Sequence, residues 1–136
     1  MDYYKLAEEP LASAHDLIGC GRFRMSVSMS TLAIDMYLKS VLYRLDSVNT
    51  LLTGHDHIGI LRLIEKRYPK PELRPLVKLS RKYFNDAQYS DTENLVVYDE
   101  QLAMDFISHA LQIKAYVDND CQASLEDLKQ RFDLMR

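Results

Sequence analysis

The sequence has 136 residues, of which 47% are apolar and 27% charged, with four Gly and four Pro. This length and composition predict one domain over residues 1–136 and argue against a multidomain enzyme. No apolar run approaches the roughly 18 residues of a membrane helix, and the first residues lack the plan of a signal peptide. We therefore expect a cytoplasmic protein without a membrane partner.

Charge is unevenly distributed along the chain. Residues 62–82 hold eight basic and two acidic side chains, a local net charge of +6 in a chain whose formal net charge is -3. Residues 86–105 hold six acidic side chains and no Lys or Arg. A positive block followed by a negative one can attract a phosphate-bearing ligand, an acidic partner or the opposite block of a second copy.

The two cysteines, Cys20 and Cys121, are far apart and form no C-x-x-C pair. This spacing argues against a disulfide framework, a zinc site or a thioredoxin-type pair. We expect both to be small packing residues, and we predict no metal and no cofactor.

Two helices are predicted in the first third of the chain. Apolar residues follow helical spacing up to Gly19 and Gly21, with Pro10 either in the first turn of the main helix or at a kink in a longer one. Residues 21–46 predict a long helix that is apolar on more than one side. Such a helix lies at the centre of a bundle or against another molecule. Its methionines predict core packing or, alternatively, a homodimer seam (Met25, Met29, Met36).

Three further helices and a short terminal one follow. We expect Thr53 to cap a third helix that ends near Tyr68, and a fourth helix to begin at about Glu72. Residues 85–98 predict a loop, Asp99 caps a fifth helix that ends at residues 118–120, and a capping box from Ser124 predicts a short C-terminal helix. No strand pattern is present, so the fold class is all-α, an antiparallel four- to five-helix up-and-down bundle.

A basic face on the fourth helix is a candidate contact for phosphate. Four charges share that face because their offsets are four, seven and eight residues: Arg74, Lys78, Arg81 and Lys82. A solvated surface is the alternative. The chain has no P-loop and no G-x-G-x-x-G, and nothing in it supports sequence-specific DNA binding.

His55, Asp56 and His57 form the densest group of potential ligands. Two His separated by two positions point in different directions on a helix, which disfavours zinc. We expect one His to pack across the bundle and Asp56 to stabilise the helix N-terminus. A His–Asp pair serving as a general base is the alternative.

Three segments together resemble the HEPN domain family. Residues 33–42 (AIDMYLKSVL) look like the family's A-I-E-x-x-L-K-A-L-L signature, with Asp35 in place of Glu. Residues 54–58 (GHDHI) are similar to its T/G-H-D-L/I segment, and residues 84–91 (FNDAQYSD) to its D-A/T-R-Y-P-D segment. The resemblance covers nearly the whole chain.

The resemblance implies a dimeric helical bundle that binds a nucleotide or presents a substrate to a partner nucleotidyltransferase, in a toxin–antitoxin-like setting. It also implies a ligand-binding patch drawn from Lys39, His55, Asp56, Gln88, Tyr89 and Asp91. Two departures are notable. No Arg precedes any His at the spacing of the family's R-x(4–6)-H RNase motif, which indicates a subgroup without that motif, and Gln88 replaces the Arg of the third segment.

Three hypotheses follow. The first is a non-catalytic nucleotide-binding module that forms a homodimer. The second is a metal-independent RNase of toxin type that uses a non-standard His–Asp site such as His55 with Asp56. The third is a pure protein-interaction scaffold whose charged blocks pair between subunits.

Overall fold

The computed structural model describes residues 1–88 and 97–122, without the side chain of Gln88. These residues contain no strand and form five α-helices, which confirms the all-α prediction: α1 (Tyr3–Gly19), α2 (Phe23–Leu45), α3 (His57–Glu65), α4 (Arg74–Gln88) and α5 (Glu100–Asn119). Two short 3₁₀ turns, Thr50–Thr53 and Pro71–Leu73, precede α3 and α4. The predicted C-terminal helix lies outside the described residues.

The long helix α2 is the centre of the bundle and packs against each of the other four. One apolar side is buried in the core, whereas the methionine side is only partly covered, since Met29 and Met36 are half-buried and Met25 is 42% exposed. Helix α1 runs antiparallel to α2, and α3 runs antiparallel to α4. Tyr3 and Tyr4 at the start of α1 stack edge-on against Tyr43 and Tyr37 near the end of α2.

A Schellman turn joins α1 to α2. The N–H of Gly21 donates to the carbonyl of Ile18, and the N–H of Arg22 donates to the carbonyl of Leu17. Gly21 has a φ of 71°, the left-handed conformation that Gly adopts without strain. Pro10 is buried inside α1, which begins at Tyr3, so the longer of the two predicted helices is the one that forms.

The start of α3 differs from the prediction. Thr53 caps no helix, because its hydroxyl donates to the Thr50 carbonyl inside the first 3₁₀ turn, at 2.8 Å. The cap is Asp56 instead, and α3 ends at Glu65, three residues before Tyr68. Prolines 69 and 71 and the second 3₁₀ turn then separate α3 from α4.

The end of α4 also differs. Residues 85–88, expected in a loop, continue the helix, because Ala87 extends its buried face one turn beyond Phe84 and packs in a second core cluster with Phe106. The cap of α5 is as predicted, since the Asp99 carboxylate accepts from the N–H of Leu102 at 2.8 Å. Cys121 is buried as expected, whereas Cys20 is exposed and does not pack.

Candidate functional site

A buried carboxylate lies where α2, α3 and α4 meet. Asp35 is fully buried on α2, and its Oδ2 lies 2.8 Å from the ammonium of Lys39, one turn further along the same helix. The Lys39 side chain is only 4% exposed. Lys39 therefore supports the carboxylate from inside the bundle and does not offer a free ammonium to solvent.

Two histidines reach the same carboxylate from the beginning of α3. The Nδ1 of His55 lies 3.1 Å from Asp35 Oδ2, within hydrogen-bond distance. The Nε2 of His57 lies 3.3 Å from Asp35 Oδ1, close enough for electrostatic attraction but poorly aligned for a hydrogen bond. We call Asp35, Lys39, His55 and His57 the Asp35 cluster. It joins the first two segments that resemble the HEPN family.

Residues of α4 enclose this cluster on the remaining side. The ring of Phe84 lies 4.6 Å from the His55 ring and 5.2 Å from the His57 ring, measured between centroids. The hydroxyl of Ser80, also buried, lies 3.2 Å from Nδ1 of His57. A carboxylate only accepts, so the tautomer with its hydrogen on Nε2 suits the neighbouring Asp35 and leaves Nδ1 to accept from Ser80.

The cluster keeps Asp35 ionised. Burial alone would raise the pKa of this carboxyl, but the contacts with His57 and then with Lys39 outweigh it and hold the pKa below its ordinary value. A buried charge needs such partners, because an isolated carboxylate in an apolar interior is strongly disfavoured.

Asp56 stands apart from this cluster. Its carboxylate accepts from the N–H of Gly59 at 2.9 Å, so Asp56 stabilises the helix N-terminus as expected, but it does so as the cap that the sequence had assigned to Thr53. A Cβ on Gly59 would collide with that carboxylate, so glycine at this position leaves room for the cap. The His55–Asp56 pair of the sequence analysis is therefore a His55–Asp35 pair in the structure.

The Asp35 cluster offers one half-exposed group. The side chain of His55 is 46% exposed, whereas Ser80, His57 and Asp35 are fully buried. The series Ser80–His57–Asp35 contains the residue types of a nucleophilic triad, but no substrate can reach a buried hydroxyl. His55, with its Nδ1 on a carboxylate and its ring at the surface, has the arrangement of a general base.

A groove between α3 and α4 is lined by three basic side chains. It has a volume of about 400 Å³, within the range of small-molecule sites. Its lining combines apolar and charged side chains: Ile58, Leu61, Arg62, Glu65, Arg74 and Lys78. We call it the α3–α4 groove.

The single acid of this groove is already paired. The Nε–H of Arg74 donates to both carboxylate oxygens of Glu65, at 3.1 and 2.9 Å. Within residues 1–88 and 97–122, neither Arg62 nor Lys78 has an ion-pair partner, and both are exposed. The groove therefore presents two uncommitted cations and one held in place by Glu65.

The other predicted site residues are distributed as follows. Arg81 is half-buried and Lys82 exposed on α4, and neither lines the groove. The ammonium of Lys82 lies 5.8 Å from the centroid of the Tyr83 ring. Gln88 ends α4, while Tyr89 and Asp91 lie outside the described residues, so the third segment of the resemblance has no described geometry here.

Sequence reasoning did not select Asp35 or Ser80 as site residues, and it included Arg62 only as the first member of the basic block 62–82. A signal was present for Asp35, because an acid and a base four residues apart in an apolar helix predict a buried pair. For Arg62 the signal was its place in that basic block, which can attract a phosphate-bearing ligand. Ser80 gives no signal, since a serine on an inward face is ordinary.

Neither a metal-holding cluster nor a membrane-spanning helix occurs among the described residues. Residues 1–88 and 97–122 include no group of three or more His, Cys, Asp or Glu side chains placed to hold a metal ion. None of the five described helices has both the length and the apolarity to cross a bilayer.

Comparison with known proteins agrees with this architecture. Searches of curated proteins and of solved structures found no match. A family model described as the HEPN domain matches residues 1–120, which include all five helices and both polar regions described above. The chain belongs to the HEPN domain family.

Proposed function

We propose that this protein is a non-catalytic module that binds a nucleotide in the α3–α4 groove. The observation that carries the proposal is the lining of that groove, which combines three cations, Arg62, Arg74 and Lys78, with apolar side chains. Cations suit the phosphates and the apolar side chains suit a base. Membership of the HEPN family, whose domain indicates a nucleotide-binding or RNase-type module, supports the same class of ligand.

The three cations have different parts in this proposal. Arg74 is oriented by Glu65, so the rest of its guanidinium is aimed without further loss of side-chain freedom. Arg62 on α3 and Lys78 on α4 contact the phosphates from the two sides of the groove. Ile58 and Leu61 provide the apolar part of its lining.

The module belongs, in this proposal, to the HEPN subgroup without the R-x(4–6)-H motif, and it works as a homodimer. It presents its nucleotide to a partner nucleotidyltransferase. Native mass spectrometry of protein purified at low salt tests the assembly, because it reports subunit number and retained ligand together. A dimer that carries the mass of a nucleotide is the expected result, and a bare monomer contradicts it.

Isothermal titration calorimetry with ATP and with inorganic pyrophosphate tests the site. We expect Arg62→Glu and Lys78→Glu each to weaken ATP binding by about tenfold or more, since each replaces an attraction for phosphate by a repulsion. Lys5→Glu on α1 is the control for a general charge effect and should leave binding nearly unchanged. Lys82 is one turn beyond Lys78 on α4 and outside the groove. If the groove and not the wider basic face binds ATP, Lys82→Glu should weaken binding less than Lys78→Glu.

Two results would contradict nucleotide binding in the α3–α4 groove. One is the absence of any ATP binding by the wild type. The other is equal weakening by Lys5→Glu and by the groove variants, which would show that net charge, not position, decides binding.

A second candidate function is metal-independent cleavage of RNA, and the hydrogen bond between His55 and Asp35 favours it. In this scheme Nε2 of His55 takes the proton of a ribose 2′-hydroxyl. The 2′-oxygen then bonds to phosphorus, and the 5′-oxygen leaves with a proton from water. Arg62 and Lys78 hold the flanking phosphates.

Incubation of RNA with purified protein in the presence of a chelator tests this candidate. Cleavage should disappear with His55→Ala and persist with His15→Ala, which changes an exposed histidine on α1. RNA that stays intact with the wild type excludes the mechanism.

A further inference from the structure

An exposed stripe runs along α5 and shares no residue with the α3–α4 groove. Its members recur at steps of four, three and four residues, the spacing of a seam between two helices: Met104, Ser108, Leu111 and Ala115. All four are exposed, including Met104 at 52% and Leu111 at 49%. Large apolar side chains on one helix face are costly to leave in water.

The stripe alternates large and small side chains, and this alternation has a geometric consequence. When two copies of α5 lie antiparallel across a two-fold axis between Ser108 and Leu111, each Met104 is level with Ala115 of the second copy. Each Ser108 is then level with Leu111 of the second copy. A large side chain therefore faces a small one at every level, which is the condition for close packing between helices.

Residues beside the stripe are compatible with this pairing. On one edge, Asp105 comes close to the level of Gln112 of the second copy, an acceptor near an amide donor. On the other edge, α1 runs antiparallel to α5, since the Tyr4 hydroxyl donates to Asp118 at 2.7 Å and Ile18 lies beside Met104. The two-fold axis therefore turns the His15 end of one α1 toward the Glu8 end of the other.

The α1–α5 face also contains a groove that would be covered. It has a volume of about 540 Å³ and is lined by His15, Asp16, Ile18, Gly19, Glu100, Met104 and Ile107. Ile18 and Ile107 are half-buried and continue the apolar surface of the stripe toward α1. The seam on α5 is thus the centre of a wider apolar face.

We propose that the occupant of this face is a second copy of the chain, with the two α5 helices packed antiparallel about the two-fold axis between Ser108 and Leu111. The inference deepens the homodimer named under the proposed function and rests on it. It assigns the dimer to α1 and α5, so that both α3–α4 grooves stay open to ligand. An isologous contact of this kind closes after two copies.

Sedimentation equilibrium of size-swapped variants tests the pairing. Leu111→Ser alone places a small side chain opposite another small one, and Ser108→Leu alone places a large side chain opposite another large one. Each change should raise the dimer dissociation constant by tenfold or more. The double variant Ser108→Leu/Leu111→Ser restores large against small and should recover most of the affinity. Leu45→Glu is the control, since Leu45 is 41% exposed on α2, outside the stripe.

Salt dependence separates this seam from pairing between the charged blocks. Apolar packing does not weaken as salt rises, whereas an interface of exposed charges is screened. A dimer that dissociates at high salt, or a double variant that stays as weak as the single ones, overturns the seam. A wild type that is monomeric overturns the homodimer itself, and ATP binding, measured separately, still decides the groove.

Discussion

The Asp35 cluster and the α3–α4 groove are neighbours, and both bring basic side chains and a carboxylate together. In the cluster, Lys39 and two histidines converge on one buried acid, and the charges satisfy one another. In the groove, Glu65 holds one cation, and Arg62 and Lys78 face solvent. Burial decides the difference: a lysine inside the bundle is retained only with its partner, and a lysine on the rim remains free for a ligand.

This contrast separates two roles that look alike in the sequence. Lys39 and Lys78 are both lysines on amphipathic helices, yet the first maintains the fold and the second is placed to bind. We therefore expect changes in the cluster to act on stability and changes in the groove to act on ligand affinity.

The largest effect is expected for Asp35→Ala. It leaves Lys39 buried without its counter-ion, and breaking a buried pair in this way typically costs about 3–5 kcal/mol of the free energy of unfolding. Urea denaturation followed by circular dichroism measures it. Asp16→Ala, on the exposed side of α1, is the control and should stay within about 0.5 kcal/mol of the wild type. A loss for Asp35→Ala as small as that of the control would show that the cluster does not stabilise the fold.

Lys39→Met is expected to cost less, on the order of 1–3 kcal/mol, because both histidines still face the carboxylate after the ammonium is removed. In the double variant Asp35→Asn/Lys39→Met neither charge is left unpaired. Its loss should therefore be smaller than the sum of the losses measured for Asp35→Asn alone and Lys39→Met alone. Strict additivity in the same urea titrations would mean that the two side chains are not coupled.

The pH dependence of stability provides a third way to examine the cluster. The pKa of Asp35 in the folded protein is below the ordinary value of 3.8, so the folded state holds fewer protons there than the unfolded chain. Its contribution to stability is complete above that value and is lost as pH falls through the lowered pKa. The difference in unfolding free energy between wild type and Asp35→Asn should shrink over that acidic interval. A difference that stays constant with pH would show that ionisation of Asp35 does not stabilise the folded protein.

A smaller effect is expected at the start of α3, where the cap holds the segment that carries both histidines. Asp56→Ala removes the acceptor for the N–H of Gly59 and should cost about 1 kcal/mol. Asp56→Asn keeps an accepting oxygen and should recover most of the loss. Thermal unfolding distinguishes them, and equal melting temperatures for the alanine and asparagine variants would contradict the role of the cap.

The sequence allowed the bundle to be predicted because helix periodicity and end signals are local. The Gly19–Gly21 turn, the Asp99 cap and the two-sided apolar pattern of α2 each depend on residues within a few positions of one another. The errors arose where two local signals compete. Thr53 and Asp56 both resemble caps, and only the hydrogen bond of Thr53 to Thr50 decides between them.

The candidate site was less predictable, because it depends on contacts between helices. Residues 20 positions apart, Asp35 and His55, meet only after α2 and α3 pack. The basic face of α4 was visible as a pattern, but Arg62 on α3 joins it through the tertiary fold alone. The resemblance to the HEPN family named the segments of the cluster without indicating that Lys39 is turned inward.

The most direct test of the account is a titration of isotope-labelled wild-type protein with ATP, followed by amide proton–nitrogen correlation spectra. If the groove binds nucleotide, the shifts should concentrate at the amides of Leu61, Arg62 and Lys78, while those of Lys39 and of α5 remain nearly constant. Spectra without shifts, or shifts concentrated outside α3 and α4, would contradict the assignment of the groove as the nucleotide site.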